Sequence, residues 1–300
     1  MIVQTKTPSE DNTIMKLMPP NKNNKISSPK DSHYAKLRRN YRDRKKIQLI
    51  NQKDTLQNKH ITQANNLFLY GIHTVGAALN NPQRKIFQLL ATRNSLTRLN
   101  WDANRPHPFP VKIVSPSTID QIVGKEAVHQ GLALETTPLS SPTLDTIQNS
   151  QLIIILDHIN DPHNVGAILR SSVAFGCGGI ITTRRYSPSE SAVLAKSASG
   201  ALEHIPYIRI GNLTDALHKI HAWQFQTIGL SSESNNPLEK EIKSDKIALI
   251  LGAEGKGLRQ KTQETATSIA HLNMPGIIKS LNVSNAAAVA LYITQNHFAK

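Results

Sequence analysis

Six short apolar runs mark the second half of the chain, at 152–156 (LIIIL), 179–183, 207–210, 227–230, 247–251 and 269–274, with helical patterns between them. Such regular strand–helix alternation predicts an α/β fold, a mostly parallel sheet covered by helices. In sheets of that kind ligands bind at the carboxyl ends of the strands. One connecting helix is expected to open at a capping box, Ser187-Pro188-Ser189-Glu190, and to run toward Gly200. The last helix, from Asn282 to about His297, is apolar on nearly all sides at its start and is expected to be buried.

Upstream, residues 66–139 carry a smaller set of elements, a compact α+β unit. Strands are expected at 67–70, 85–92, 110–114 and 132–139. Helices are expected at 72–79, stopped by Asn80, Asn81 and Pro82, and after a Ser117 cap, ending at Gly124. Residues 140–150, within the polar stretch 136–150 (TTPLSSPTLDTIQNS), have linker composition and leave 151–300 as the α/β domain. Residues 1–60 are rich in Lys, Asn, Ser and Gln and read as a disordered basic tail.

That tail holds 14 Lys or Arg against 5 Asp or Glu, +9 of the chain's net +14. Such an excess favours a polyanionic partner, through phosphate neutralisation, over a merely solubilising arm. The run 36–46 (KLRRNYRDRKK) could hold RNA loosely as a transient basic helix. A mitochondrial transit peptide fits less well, because Glu10 and Asp11 are out of place in one. No apolar stretch has the length of a membrane span, and the N-terminus has no apolar signal region. The single cysteine, Cys177, allows neither a disulfide framework nor a multi-cysteine zinc site. A soluble, cytoplasmic protein of a reducing compartment is expected.

Three polar, glycine-bearing segments follow apolar runs at strand-to-helix corners. In 156–170 (LDHINDPHNVGAILR), Asn164 could cap a helix, and Arg170 lies inside that helix among apolar neighbours. A guanidinium there needs a carboxylate, a phosphate or carbonyls, or else it snorkels to solvent. The segment 250–258 (ILGAEGKGL) has three glycines in six residues, which permits close backbone approach to a ligand, although a plain turn would also explain it. It is not a Walker loop, since Lys256 is followed by Gly257. The segment 274–286 (MPGIIKSLNVSNA) runs from an irregular loop into the last helix, with Ser280 and Asn282 as candidate caps. Asp157, His158, Asp161 and His163 also cluster, but Pro162 falls between the histidines and the spacing is not that of ligands on one helix face, so no metal site is expected.

Taken in order, the three segments resemble the motifs of the SpoU family of RNA ribose methyltransferases. The matching residues are Asn164, Gly166 and Arg170 (NxGxxxR), then Gly252, Glu254 and Gly257 (GxExxG), then 280–284 (SLNVS). Residues 70–75 (YGIHTV) and 129–131 (HQG) are similar to the family's N-terminal substrate-binding domain, which resembles ribosomal protein L30e. The chain departs from the family at 272–274, Leu-Asn-Met, where members often carry Ile-Pro-Met, and losing that proline changes the rigidity of the loop.

The resemblance implies a trefoil-knotted α/β fold of the SPOUT class, whose knot loops hold S-adenosylmethionine through backbone groups, here those of Gly252, Leu272 and Leu281. It implies methyl transfer to a ribose 2′-hydroxyl, with Arg170 activating that hydroxyl or stabilising the developing alkoxide. Asn164 would orient Arg170 or the ribose, and Glu254, Ser280 and Asn282 would complete the site. It further implies an RNA partner and a homodimer with the site near its interface. Within the family, the L30e-like domain and its linker make the chain most similar to bacterial members that methylate a guanosine of 23S ribosomal RNA. A tRNA ribose methyltransferase is the runner-up. A non-catalytic RNA-binding protein is the alternative from another class, and the intact motif residues argue against it. A metal hydrolase built on the Asp/His cluster is the weakest reading.

Overall fold

The computed structural model describes residues 66–102 and 105–299, and the basic tail lies outside them. The first elements are β1 (Leu67–Tyr70), α1 (Ile72–Leu79), β2 (Ile86–Ala91), α2 (Arg93–Leu99), β3 (Val111–Ile113), α3 (Pro116–Val123) and β4 (Leu132–Thr136). Their strands form one sheet in the order β1-β4-β2-β3, with β4 antiparallel to both neighbours and β2 parallel to β3. α2 is an element the sequence pattern does not announce. Thr92 and Ser95 cap it reciprocally, and a serine stands where the recognisable pattern has Glu or Gln. The cap of α3 is Ser115 rather than Ser117: Pro116 takes the first helical position, and Ser115 Oγ accepts from the Thr118 N–H.

A single 3-10 turn (Leu144–Ile147) leads to the larger layer. It comprises β5 (Leu152–Asp157), α4 (Pro162–Ala174), β6 (Ile180–Thr183), α5 (Ala192–Ala198), β7 (Tyr207–Ile210), α6 (Leu213–Ala222), β8 (Gln226–Leu230), α7 (Leu238–Glu241), β9 (Ile247–Gly252), α8 (Gln260–Thr265), β10 (Ser268–Ala270) and α9 (Val283–Phe298). All pairings are parallel, in the order β10-β8-β9-β5-β6-β7. The chain moves outward from β5 to β7, crosses to the far side for β8, and then inserts β9 between β8 and β5. The reversal of direction lies beside β5, where Asp157 and Gly252 pair at the carboxyl ends of β5 and β9. This is the switch point at which such sheets bind ligands.

Every residue of β5 is buried, and its faces feed two cores. Ile153 and Ile155 pack with Leu217, Ile220 and Ile250. Ile154 and Leu156 join a cluster that continues through Val165 and Leu169 to Leu69 and Leu134 of the small sheet. The two layers also meet through Arg84, whose side chain is fully buried with Glu190 and Glu203 each at 2.6 Å.

That contact overturns one expectation. Glu190 does not close a capping box: it pairs with Arg84 and accepts the Leu139 N–H, and α5 starts later, capped by Ser191. The last strand is also shorter than expected, because its partner β8 ends at Leu230, opposite Ala270, and offers no further ladder. The last helix buries Val283, Ala287, Ala290, Leu291 and Thr294 but exposes Val289 and Tyr292, so only one of its faces is in the core. Among the described residues no helix is long and apolar enough to cross a membrane.

Candidate active site

The site grows from three corners at the carboxyl end of the large sheet. At the first, Pro162 opens α4 and Asp161, not Asn164, is the cap, accepting the His163 N–H at 3.0 Å. Asn164 is thereby free to reach across. Its Nδ2 donates to Glu254 Oε1 at 3.1 Å. Asn282 Nδ2 donates to the same oxygen at 2.8 Å and to Asn164 Oδ1 at 3.0 Å. Asn282 is also the expected cap of α9, accepting the Ser284 N–H at 2.9 Å. One residue from each of the three sequence segments thus closes a hydrogen-bonded triangle. Glu254 has no cationic partner in it among the described residues.

At the second corner the loop after β9 folds over its own strand. Ala253 and Gly257 exchange backbone hydrogen bonds at 3.1 and 2.8 Å, and Gly255 and Gly257 take positive φ. A Cβ on Gly252 would stand 2.2 Å from the carbonyl carbon of Gly257, so no side chain fits there. The loop is tied down behind by a pair that sequence reasoning missed. Asp157, wholly buried at the end of β5, accepts from Arg259 Nε at 2.7 Å and from the Arg259 N–H at 3.1 Å. The available signal was the carboxylate closing an apolar run, because a buried charge needs a partner.

Between this loop and the third segment lies a cleft of about 340 Å³, lined by Gly252, Leu258, Leu272, Met274, Ser280 and Leu281. The structure therefore gathers Ser280 and the three expected cofactor positions at one place. Leu272 through Leu281 make no backbone–backbone hydrogen bond among the described residues, and apart from the Met274 carbonyl, which accepts from Lys279 Nζ at 2.7 Å, this leaves backbone groups available. A second cavity, of about 610 Å³, lies on the other side of Glu254 and shares Ala253, Glu254 and Lys256 with the cleft.

Arg170 stands apart from the triangle. It follows Asn164 by six residues, about 9 Å along the helix and about 240° around it. It is exposed and makes no hydrogen bond or ion pair among the described residues. Gly166, the glycine of the same motif, serves packing: a Cβ there would meet Ser197 Cβ at 2.5 Å and Leu194 O at 2.8 Å on α5. The Asp/His cluster does not converge on a point. Asp157 pairs with Arg259, Asp161 caps α4, His163 bonds Ser197, and His158 packs at a tilt against Tyr186 with ring centroids 4.2 Å apart. Burial holds His158 below the usual imidazole pKa, helped by Arg259 and Lys256 and opposed by Asp157.

Comparison with known proteins matches residues 151–292 to the SpoU rRNA Methylase family and residues 68–142 to the RNA 2′-O ribose methyltransferase substrate-binding family. Over 234 residues the chain is 34% identical to the 23S rRNA (guanosine-2′-O-)-methyltransferase RlmB of Pasteurella multocida, covering 75% of this chain and 95% of the relative. It is 32% identical to the protein of that name from Ralstonia nicotianae, covering 75% and 93%. Among solved structures it is similar to the SpoU methyltransferase AviRb from Streptomyces viridochromogenes in complex with AdoMet, with a TM-score of 0.66 at 18% identity over 80% of this chain and 92% of that one. It is also similar to an AdoMet-bound rRNA methyltransferase from Sinorhizobium meliloti, with a TM-score of 0.64 at 21% identity over 80% and 90%. At these identities the two structures speak for the fold, and it is the α/β fold that the strand–helix alternation predicts.

Proposed function

We propose that this chain, which belongs to the SpoU rRNA methylase family, transfers a methyl group from S-adenosylmethionine to a ribose 2′-hydroxyl of RNA, on a guanosine of 23S ribosomal RNA. The observation that carries the reading is the triangle of Asn164, Glu254 and Asn282 at the rim of the cleft. The cleft suits the cofactor. Leu258, Leu272 and Ala286 offer an apolar wall for an adenine, and the backbone groups of Leu272 and Leu281, which make no backbone–backbone hydrogen bond among the described residues, offer donors and acceptors for its edge. Residues 66–139 serve as the RNA-binding domain, residues 151–300 as the methyltransferase domain, and residues 140–150 as their linker. A ribosomal RNA substrate places the enzyme in the cytoplasm.

S-Adenosylmethionine supplies an electrophilic methyl group on a sulfonium. The protein's part is to bring a hydroxyl in line with it and to manage that hydroxyl's proton. Glu254, steered by two neutral amides, keeps a negative charge at the rim of the cleft, where it complements positive charge nearby. Arg170, brought up by a second copy of the chain, supplies that charge. A guanidinium keeps its proton, so it stabilises the developing alkoxide rather than acting as a free base. Arg170 has no partner among the described residues, and α9 leaves an apolar face with Val289 and Tyr292 exposed. A second copy covering that apolar face completes the site, so the working form is a homodimer.

The test is transfer from labelled S-adenosylmethionine to unmodified large-subunit ribosomal RNA and unmodified tRNA offered separately, with the labelled nucleotide mapped. Label on a ribosomal guanosine ribose is expected, and label on tRNA instead would transfer the enzyme to the runner-up substrate. Arg170→Ala is expected to lower transfer by about 100- to 1,000-fold while the fold and cofactor binding stay intact. Activity near that of the natural protein would remove Arg170 from the mechanism.

A further inference from the structure

The cavity beyond Glu254 is left unused by the cofactor reading, and its walls are specific. His158 and Tyr186 form one of them, their rings 4.2 Å apart and inclined by 36°. Tyr186 is 53% exposed, so much of its ring is open to a visitor. His158 holds its place through a left-handed backbone, φ 62, directly after β5. Non-glycine residues in that region are uncommon, and such conformations concentrate at functional sites. Arg185 and Lys256 line the same cavity, exposed and without a hydrogen bond or carboxylate partner among the described residues. None of the carboxylates around them bonds to either cation among the described residues: Asp161 caps α4, Asp157 is paired with Arg259, and Glu254 is held by Asn164 and Asn282. The cavity therefore presents two free cations beside an aromatic surface. It meets the cofactor cleft at Ala253, Glu254 and Lys256.

We propose that the His158–Tyr186 pair is the platform on which the base of the methylated nucleotide stacks after leaving the RNA stack, with Arg185 and Lys256 holding the flanking phosphates. The proposal rests on the methyltransferase reading above. A hydroxyl that reacts at the rim of the cleft places its ribose beside Glu254, and the attached base must then lie on the far side, in this cavity. A base drawn from its neighbours loses stacking, and an open aromatic face replaces it without regard to sequence. The depressed basicity of His158 fits the role, since a neutral imidazole stacks without adding charge beneath the base. The fixed cations sit where a phosphate backbone entering the cavity would pass.

The experiment compares the full chain with Tyr186→Ala and Tyr186→Phe on one unmodified 23S ribosomal RNA transcript. Three quantities are read: kcat/KM for the RNA with labelled S-adenosylmethionine, cofactor affinity without RNA, and the melting midpoint. Tyr186→Ala is expected to lower kcat/KM by about ten- to a hundred-fold, the scale of one lost base–aromatic stack, with cofactor affinity and melting unchanged. Tyr186→Phe is expected to restore kcat/KM to within about twofold, because the ring and not the hydroxyl carries the contact. An unimpaired Tyr186→Ala would overturn the platform, and so would a Tyr186→Phe as damaged as the alanine variant. In either of those cases transfer by the natural protein would leave the methyltransferase reading standing. Absence of transfer by the natural protein, with cofactor still bound, would remove that reading and the platform together.

Discussion

A carboxylate near a surface usually meets water or a cation, but Glu254 meets two side-chain amides. Neutral donors fix its position without cancelling its charge, so it stays available to positive charge brought in by substrate, cofactor or a second copy of the chain. Asn282 holds two tasks at this point, donating to Glu254 and Asn164 while its oxygen caps α9. The tasks can be separated. Serine caps a helix about as well as asparagine but is too short to reach Glu254. Asn282→Ser is therefore expected to melt within a few tenths of a kcal/mol of the natural protein, while Asn282→Ala loses about 1 kcal/mol. Both are expected to transfer methyl groups at least about tenfold more slowly, with denaturation and single-turnover rates as the two readouts. An active Asn282→Ser would reduce the residue to a cap.

At the scale of elements, the corners place the chemistry and the helices only carry it. The loop between β9 and α8 is pinned at one end by the contact of Gly252 with Gly257, and at the other by Arg259 on Asp157. Because the atom opposing a Cβ at Gly252 is backbone, no rotamer change relieves the clash. Gly252→Ala must displace the whole turn, and overpacking of this kind costs about 1–3 kcal/mol. Its main effect is expected on the cleft: S-adenosylmethionine binding should weaken by tenfold or more, roughly, as equilibrium dialysis would show. Binding unchanged from the natural protein would mean that the turn does not shape the cofactor site.

The whole molecule depends on how its two sheets are joined. Arg84 belongs to the small layer, and both of its carboxylate partners belong to the large one. Burial works to lower the Arg84 pKa, but the Glu203 hydrogen bond and the charges of Glu190 and Glu203 keep it above the usual value. Glu190 goes the other way for an acid in an ion pair, since burial raises its pKa further than Arg84 lowers it. Removing the arginine leaves two buried carboxylates uncompensated. Arg84→Met, which keeps the stem's packing, is expected to cost about 3–5 kcal/mol in urea denaturation and to speed proteolysis within 138–150. A loss below about 1 kcal/mol would mean that the core through Leu69, Leu134 and Ile154 joins the layers without it.

Much of this could be read along the chain. The strand–helix rhythm carries the α/β class, because runs such as 152–156 place every side chain in a core. The three corners could be named as well, since glycines and polar residues after such runs have few other uses. Local spacing, however, speaks only for neighbours within a turn or two. Asn164, Glu254 and Asn282 lie 28 to 118 residues apart, and nothing between them says that their side chains share an oxygen. For the same reason Glu190 reads as a local cap when its partner is Arg84, 106 positions upstream. Asp157 and Arg259, and the meeting of His158 with Tyr186, arise where separate loops gather at the carboxyl edge of the sheet. Periodic burial is a property of each segment and survives in the one-dimensional record. Pairing of polar groups across segments depends on strand order, and strand order follows from how the faces pack together.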